Sequence, residues 1–165
     1  MKSFNSSVAL LLVLAFVGLY IYFVEYKSYK EKKRKNTFFI NDVDELSVID
    51  PIAKKGFELL NKNGTWYVNG KPSADNKEIN TIVYTLKGKP EKVVSDPAKD
   101  TEVREYGLDN PIMIINVKNY ANKVNETLYV GTKAPVGFGR YILIKSRNTI
   151  VISSEIYDSF NKEVK

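Results

Sequence analysis

The side chains that could do chemistry in this chain are carboxylates, lysines, tyrosines and serines, because the sequence contains no histidine and no cysteine. This composition excludes Ser-His-Asp and Cys-His nucleophiles, thiol redox chemistry, disulfides and the usual nitrogen- and sulfur-ligated zinc sites. Among the carboxylates, Asp96, Asp100 and Asp109 have no spacing that pairs two of them for general acid–base catalysis. We therefore expect no catalytic residues and no cofactor.

Two short segments contain residue types that bind ions in other proteins. Residues 41–45 (NDVDE) offer oxygen ligands for a hard cation, but they lack the glycine and the distal glutamate of a calcium loop. Residues 137–140 (GFGR) suggest a phosphate loop, but they lie between two predicted strands and not before a helix N-terminus. We interpret the first segment as a solvated turn and the second as a hairpin loop, and we predict no metal site.

The net charge of +6 is concentrated near the N-terminus. Residues 1–36 contain seven of the 25 basic and two of the 19 acidic side chains, so residues 37–165 contain 18 and 17 and carry a charge of only +1. A nucleic-acid-binding domain concentrates positive charge on its folded surface, because phosphate neutralisation supplies much of the affinity. We therefore predict that the protein does not bind nucleic acid.

An uncharged segment precedes this basic region, and residues 8–24 (VALLLVLAFVGLYIYFV) are almost continuously apolar. The uncharged residues 3–24 would span about 33 Å as a helix, which matches the ~30 Å hydrocarbon core of a bilayer. A cleaved signal peptide is the alternative, but the apolar run exceeds a typical hydrophobic region of ~7–15 residues and no small-x-small cleavage site follows it. We predict that residues 1–26 form an uncleaved anchor helix that contacts the bilayer through residues 8–24.

The anchor is followed by a basic segment, residues 27–36, which we predict to be a juxtamembrane linker. Its basic side chains, which we expect to lie at the membrane surface, are Lys27, Lys30, Lys32, Lys33, Arg34 and Lys35. Counted alone, these charges place the following domain in the cytoplasm under the positive-inside rule. The alternative is a linker whose lysines bind anionic headgroups on whichever side they meet.

The clearest local pattern after the linker is a β-hairpin. Two apolar runs, residues 57–62 and 65–68, are separated by Asn63 and Gly64. This pair favours a type I′ turn, because both central residues of that turn need a positive φ. Trp66, the only tryptophan, lies in the second run. We predict that it anchors the core and does not stack on a ligand.

Helical patterns occur at the centre and at the C-terminal end of residues 37–165. Ser73 or Asp75 can cap a central helix with apolar residues at i, i+3, i+4 and i+7, and Gly88 can end it. Thr101 can cap a single helical turn that closes at Gly107. Residues 154–165 place their apolar side chains on one face of a terminal helix.

The remaining patterns are those of strands, at residues 45–50, 91–95, 112–118, 126–130, 140–146 and 149–153. Together they predict an α+β fold, with an N-terminal transmembrane helix followed by a mainly antiparallel β domain, residues 37–165, that has one central and one C-terminal helix. A strand–strand–helix order recurs in both halves. An internal duplication stays open, because no residues repeat convincingly.

Several motifs along the chain resemble those of one bacterial family, "domain of unknown function 4340". They are an anchor that ends in aromatic residues, a tryptophan-containing hairpin, a Tyr-Gly-Leu-x-x-Pro element and a strand that ends in Val-Gly. The residues that carry the resemblance are Trp66, Tyr106, Gly107, Leu108, Pro111, Gly131, Gly137 and Tyr141.

The Tyr-Gly-Leu-x-x-Pro element also makes physical sense without chemistry. Gly107 can take the positive φ that stops a helical turn, and Leu108 can pack back on the core. Pro111 can fix the start of the next strand. The resemblance itself implies no catalytic residues.

The resemblance implies a membrane-anchored extracytoplasmic domain, associated in some members with ABC transporters of the gliding-motility type. This orientation contradicts the charge count, but related chains also carry charged linkers after the helix, so we place the domain outside the cytoplasm. We expect a non-enzymatic single-pass protein of the bacterial inner membrane that binds a partner membrane protein. The alternative is an extracytoplasmic module that hands a lipid or glycan to a transporter.

Overall fold

A computed structural model of the chain describes residues 3–35, 37–39, 41–73, 75–135, 137 and 139–161, with the side chains of the first helix described from residue 8 to residue 29. The chain divides into two compact units, residues 1–36 and residues 37–165. The first unit is a helix, and the second is an antiparallel sheet with further helices. The predicted α+β fold is therefore confirmed.

Helix α1 (Ser3–Lys35) forms the first unit. Its segment Val8–Tyr29 has a mean hydropathy of 2.4 and is long and apolar enough to cross a membrane. The helix also continues through the basic residues up to Lys35, where the sequence predicted a linker. Lysine, glutamate and arginine are good helix formers, and no glycine or proline interrupts residues 19–35. The described part of the predicted linker, residues 27–35, is therefore helical.

The second unit is built on one sheet of nine strands, in which all neighbouring strands are antiparallel and the order is β4-β3-β2-β1-β6-β7-β8-β9-β5. In chain order the strands are β1 (Glu45–Asp50), β2 (Lys55–Lys62), β3 (Thr65–Val68), β4 (Lys71–Pro72), β5 (Lys92–Ser95), β6 (Met113–Asn119), β7 (Val124–Lys133), β8 (Arg140–Ile144) and β9 (Thr149–Ser153). The helices of this unit are α2 (Asn76–Thr85), α3 (Asp100–Glu105) and α4 (Glu155–Phe160), and a 3₁₀ turn, Lys145–Arg147, joins β8 to β9.

Each face of the sheet has its own apolar cluster. On the first face, alternate strand residues such as Leu46, Leu59 and Ile115 pack with residues of α2 and α4, and all three strand residues are fully buried. On the second face, a smaller cluster forms where Leu108 covers Leu143 and Ile150. Burial of apolar area on both faces stabilises the sheet, and the first face contributes most of it.

The predicted Asn-Gly hairpin is confirmed. Asn63 and Gly64 connect β2 to β3 with φ values of 52° and 84°. Trp66 in β3 is 2% exposed and belongs to the larger cluster. Its indole Nε1 donates a hydrogen bond of 2.8 Å to Asn80 Oδ1 on α2, so the polar atom of this buried ring is satisfied.

The predicted helix ends are confirmed at the start of α2 but not at its end. Asp75 caps α2, because its Oδ1 accepts hydrogen bonds of 2.9 Å from the amides of Lys77 and Glu78. Gly88 does not end that helix with a positive φ, since Leu86 is its C-cap in the right-handed region. Helix α3 begins one residue before Thr101, at Asp100.

The structure shows that the two halves of the sheet repeat one architecture, β1-β2-β3-β4-α2 and β6-β7-β8-β9-α4. The strands β1 and β6 are paired at the centre, where Ser47 lies opposite Asn116, 69 residues further along the chain. The next strands keep this spacing of 69 residues: Ser47 lies opposite Glu58 in β2, and Asn116 lies opposite Thr127 in β7. The halves are thus related by a pseudo-twofold axis normal to the sheet.

The turns that follow β1 and β6 repeat in detail. Asp50 Oδ1 accepts from the amide of Ala53 at 2.7 Å, and Asn119 Oδ1 accepts from the amide of Asn122 at 2.7 Å. Each turn then ends in a lysine with positive φ, Lys54 at 54° and Lys123 at 51°. Few identical residues survive between the halves, so the sequence alone left this repeat open.

Replacement of Lys54 or Lys123 by glycine is expected to raise the free energy of unfolding by about 1 kcal/mol, because the left-handed conformation costs an L-residue about 1–2 kcal/mol and glycine almost nothing. Chemical denaturation of each variant measures the effect. Lys55→Gly, in the adjacent strand β2, is the control and should be destabilising. Loss of stability in both turn variants would contradict the expectation.

Candidate functional site

Five of the eight family-motif residues meet at one place on the second face of the sheet. Tyr106, Gly107 and Leu108 form the Tyr-Gly-Leu turn that follows α3, and Gly107 has the predicted positive φ, 67°. The turn lies against the end of β7, where both the amide and the hydroxyl of Thr132 donate to the carbonyl oxygen of Tyr106, at 2.9 and 3.0 Å. A methyl group on Gly131 would lie 2.2 Å from that same oxygen. Glycine at this position therefore permits a close backbone approach.

Two tyrosines complete the cluster. The rings of Tyr106 and Tyr141 are stacked, with centroids 3.9 Å apart and planes inclined by 7°. Beneath them Leu108, as predicted, is buried with Leu143 and Ile150. Desolvation raises the pKa of the Tyr106 phenol, and the charge of Glu105 adds to the effect. The phenol is therefore neutral at ordinary pH and is not an activated nucleophile.

The other three motif residues lie outside this contact. Trp66 packs in the cluster on the opposite face of the sheet. Pro111 is buried just before β6, and the amide of Ile112 donates to the carbonyl of Val130 at 2.9 Å. Gly137, with a φ of 88°, lies in the loop between β7 and β8; of the GFGR segment, Phe138 lies outside the described residues. The loop joins two strands of a hairpin, as the sequence predicted.

A second group of polar side chains lies on the same face at the other end of β1 and β6. The carboxylate of Glu45 accepts hydrogen bonds from Lys118 Nζ and from the hydroxyl of Tyr120. The bond from Lys118 and then the bond from Tyr120 lower the pKa of Glu45. The carboxylate in turn raises the pKa of Lys118 and of Tyr120. Each group is therefore held in the charge state that it has at neutral pH.

Stability should depend on this group at acid pH. The folded-state pKa of Glu45 lies below its ordinary value of 4.5, so its contribution is present above that pH and is lost as pH falls through the lowered folded pKa. We expect Glu45→Gln to be less stable than the parent at pH 7 and to lose less stability on acidification. Thermal melting between neutral pH and pH 3 measures both effects, with Glu78→Gln on α2 as an exposed control. Parallel acid curves for parent and Glu45→Gln would contradict this prediction.

The carboxylates of residues 41–45 point to separate partners. Asp42 forms an ion pair of 2.8 Å with Lys87, which lowers the pKa of Asp42. Asp44 Oδ2 accepts from the amide of Tyr120 at 2.6 Å, and Glu45 belongs to the group just described. In the part of the chain that the structure describes, no three acidic side chains converge as metal ligands.

Sequence reasoning missed the residues that hold the start of the domain. Arg147 Nη2 donates to the carbonyl oxygens of Thr37 and Phe38, at 2.7 and 2.9 Å. The amide of Phe39 donates to Leu86 at 2.8 Å, and both phenylalanine side chains are buried. The only sequence signal was a Phe-Phe pair directly after the basic segment.

The basic residues expected at the membrane surface lie on the last turns of α1. Lys27 is exposed, whereas the side chains of Lys30, Lys32, Lys33, Arg34 and Lys35 are outside the described set. Their role at the membrane surface stays a prediction. The helix that carries them is compatible with a single-pass membrane anchor.

Two open grooves lie along β2. One, of about 510 Å³, is lined by Ile49, Gly56 and Phe57 among others. The other, of about 770 Å³, is lined by Leu60, Lys62 and neighbouring residues. Both are within the size range of small-molecule sites, although such sites usually enclose most of the ligand.

Comparison with known proteins identifies the family and nothing closer. No curated protein and no solved structure matches this chain significantly. The profile of the family described as "Domain of unknown function (DUF4340)" matches residues 66–165, which begin in β3 and include the Tyr-Gly-Leu turn and its contact at Gly131. The predicted family is confirmed over more than half of the sequence, and the chain belongs to the DUF4340 family.

Proposed function

We propose that this protein is a non-enzymatic, single-pass membrane-anchored domain that binds a partner membrane protein in the bacterial cell envelope, as an accessory subunit of an ABC transporter or another membrane complex. The observation that carries the proposal is the joining of an apolar helix, Val8–Tyr29, to a folded domain that begins at Thr37. A helix of this length and hydropathy is suited to span the hydrocarbon core of a bilayer. The domain is then confined to the membrane surface, where its partners are membrane proteins.

The state of the titratable groups supports a role in binding. Catalytic acids, bases and nucleophiles need pKa values shifted toward the working pH. In the group of Glu45, Lys118 and Tyr120 the shifts run the other way, and each residue is held more firmly in its resting charge state. These interactions fit a role in fixing the surface between β1 and β6.

The proposed orientation is N-terminus inside and domain outside. The basic residues after the anchor favour the opposite orientation, but long domains translocate largely regardless of such charges. A basic segment next to an anchor can also bind anionic headgroups on whichever side of the membrane it meets, so its charge does not exclude this orientation.

The second candidate is a module that hands a lipid or glycan to a transporter. The grooves near Ile49 and near Leu60 favour it, because their volumes suit a small ligand. This candidate predicts a small molecule that stays bound after gentle extraction.

Affinity purification of the full-length protein from mild detergent distinguishes the two candidates. We expect one membrane protein to be recovered in near-stoichiometric amount, and its yield to fall when the domain, residues 37–165, is deleted and the tagged anchor is kept. Recovery of a lipid or glycan without a protein would favour the second candidate. Recovery of neither would contradict the proposal.

Residues 37–165, expressed without the anchor, are expected to form a soluble domain that does not bind polyanions, because their formal charge is only +1. Passage over heparin at low salt measures this. The full-length protein in detergent is the control, since its basic segment should be retained and then released by salt. Salt-sensitive retention of the isolated domain would contradict the prediction and would place a basic patch on the domain itself.

A further inference from the structure

The repeat of the two halves shows an asymmetry in how the sheet is covered. On the first face each half supplies one helix, α2 and α4, to the larger cluster. On the second face the described residues cover one half only, with α3 and the Tyr-Gly-Leu turn lying over β8 and β9. Tyr129 packs against that cover, whereas its counterpart 69 residues earlier, Leu60, lies beside an open groove. The first half thus exposes a strip of sheet, and the equivalent strip of the second half is covered.

This strip, which we call the shelf, consists of uncharged residues on β1, β2 and β6. They are Ser47, Ile49, Leu60, Ile114 and Asn116. Ile49 is 41% exposed, and the other four are partly exposed. Asn116 Nδ2 donates to Ser47 Oγ at 3.2 Å, so the polar pair at the centre is partly satisfied within the sheet. An uncharged centre is typical of the core of a protein interface.

Charged side chains border the shelf. On one side Glu45 and Lys118 are paired with each other. On the other side Glu58, which lies opposite Ser47 on β2, is exposed and has no ion pair among the described residues. A partner with a basic residue at that border would complete the charge pattern.

The first half does not have the features that hold the cover of the second half, which are the pairing of β5 with β9 and the close approach of the Tyr-Gly-Leu turn to β7. The position of Gly131, which permits that turn to approach, is occupied in the first half by Lys62, 69 residues earlier. In the second half, Ile150 of β9 lies opposite Leu143 and pairs with β5 on its other side. The corresponding residue in the first half is Pro72 of β4, which lies opposite Tyr67. Proline has no amide hydrogen to donate to an added strand. Pro72 therefore disfavours an added strand at the β4 edge, and the described residues of the first half include no counterpart of β5 to carry a cover across the sheet.

We propose that the shelf binds an amphipathic α-helix of the partner membrane protein, with the apolar stripe of that helix on Ile49, Leu60 and Ile114 and a lysine or arginine near Glu58. This rests on the proposed function and names the surface that performs it. A helix satisfies its own backbone groups, and its diameter of about 10–12 Å suits one layer on a sheet. On the neighbouring half, α3 already forms a helical layer on the same face.

The test compares two lysine substitutions in the full-length protein. Ile49→Lys places a charge on the shelf, and Val93→Lys places one at the β5 edge of the sheet on a residue of similar exposure, 41% against 47%. Thermal melting first checks that both variants are as stable as the parent. Mass spectrometry then quantifies the partner recovered with each variant. We expect Ile49→Lys to recover about tenfold less partner or worse, and Val93→Lys to recover the parental amount.

A photo-cross-linking residue at Ile49, in the otherwise unchanged protein, identifies the occupant directly and does not depend on the lysine variant folding. We expect a cross-link to a partner peptide with apolar residues at i, i+3, i+4 and i+7. A cross-link to lipid or to a second copy of the chain would overturn the proposal. Equal recovery of the partner with Ile49→Lys would overturn the shelf and leave the proposed function standing, whereas recovery of no partner with any variant would overturn both.

Discussion

Replacement of Trp66 by alanine is expected to lower the free energy of unfolding by about 3–5 kcal/mol, a large part of the ~5–15 kcal/mol that stabilises a typical domain. The indole is 2% exposed within the larger cluster, so its removal leaves a cavity between β3 and α2. It also removes the donor of the 2.8 Å hydrogen bond to Asn80. Denaturant unfolding of the domain, residues 37–165, measures the loss.

Two milder variants separate the ring from its hydrogen bond. Asn80→Ala removes only the acceptor and should cost about 0.5–1.5 kcal/mol. Trp66→Phe keeps most of the apolar volume and should fall between Asn80→Ala and Trp66→Ala. If Trp66→Ala melted like the parent but lost its partner, the tryptophan would belong to the binding surface and not to the core.

Replacement of Gly131 by alanine is expected to cost about 3 kcal/mol, from overpacking and from the loss of two hydrogen bonds. The new methyl carbon would lie 2.2 Å from the carbonyl oxygen of Tyr106 and 3.0 Å from Leu108 Cδ2. A backbone oxygen cannot rotate away as a side chain can, so the Tyr-Gly-Leu turn must move. Its two bonds from Thr132 and the stacking of Tyr106 on Tyr141 would be lost with it.

The matched control is Gly64→Ala. Gly64 has a φ of 84° and open space around its α-carbon, so the substitution carries only the conformational cost of about 1–2 kcal/mol. Denaturant unfolding compares the two variants, and the near-ultraviolet circular dichroism of the tyrosines reports the stack. A Gly131→Ala protein that is as stable as Gly64→Ala and keeps the tyrosine signal would show that the turn does not approach β7 so closely.

Local patterns predicted the parts of the fold that depend on local chemistry. The Asn63-Gly64 turn follows from the need for positive φ at both positions, and the cap of α2 follows from the short carboxylate of Asp75. Charge did not indicate where the first helix ends: α1 continues to Lys35, because lysine, glutamate and arginine are good helix formers.

The candidate site depended on contacts between distant parts of the chain. Nothing local to Gly131 indicates that the carbonyl of Tyr106 lies against it; only the family resemblance singled out both residues. The ion pair of Glu45 and Lys118 spans 73 residues, and it requires the pairing of β1 with β6. The repeat of the halves was equally hidden, since it is preserved in φ values and turn hydrogen bonds and not in residue identity.

Membrane topology tests the central claim most directly, because the proposed function places the domain outside the cytoplasm. The chain has no cysteine, so a single cysteine at the exposed position Asn125 reports on the domain without background, and a cysteine at Ser3 reports on the other end of α1. We expect a membrane-impermeant maleimide to label the Asn125→Cys protein in intact spheroplasts and the Ser3→Cys protein only after lysis. Labelling of Asn125→Cys only after lysis would place the domain in the cytoplasm and contradict the proposed function.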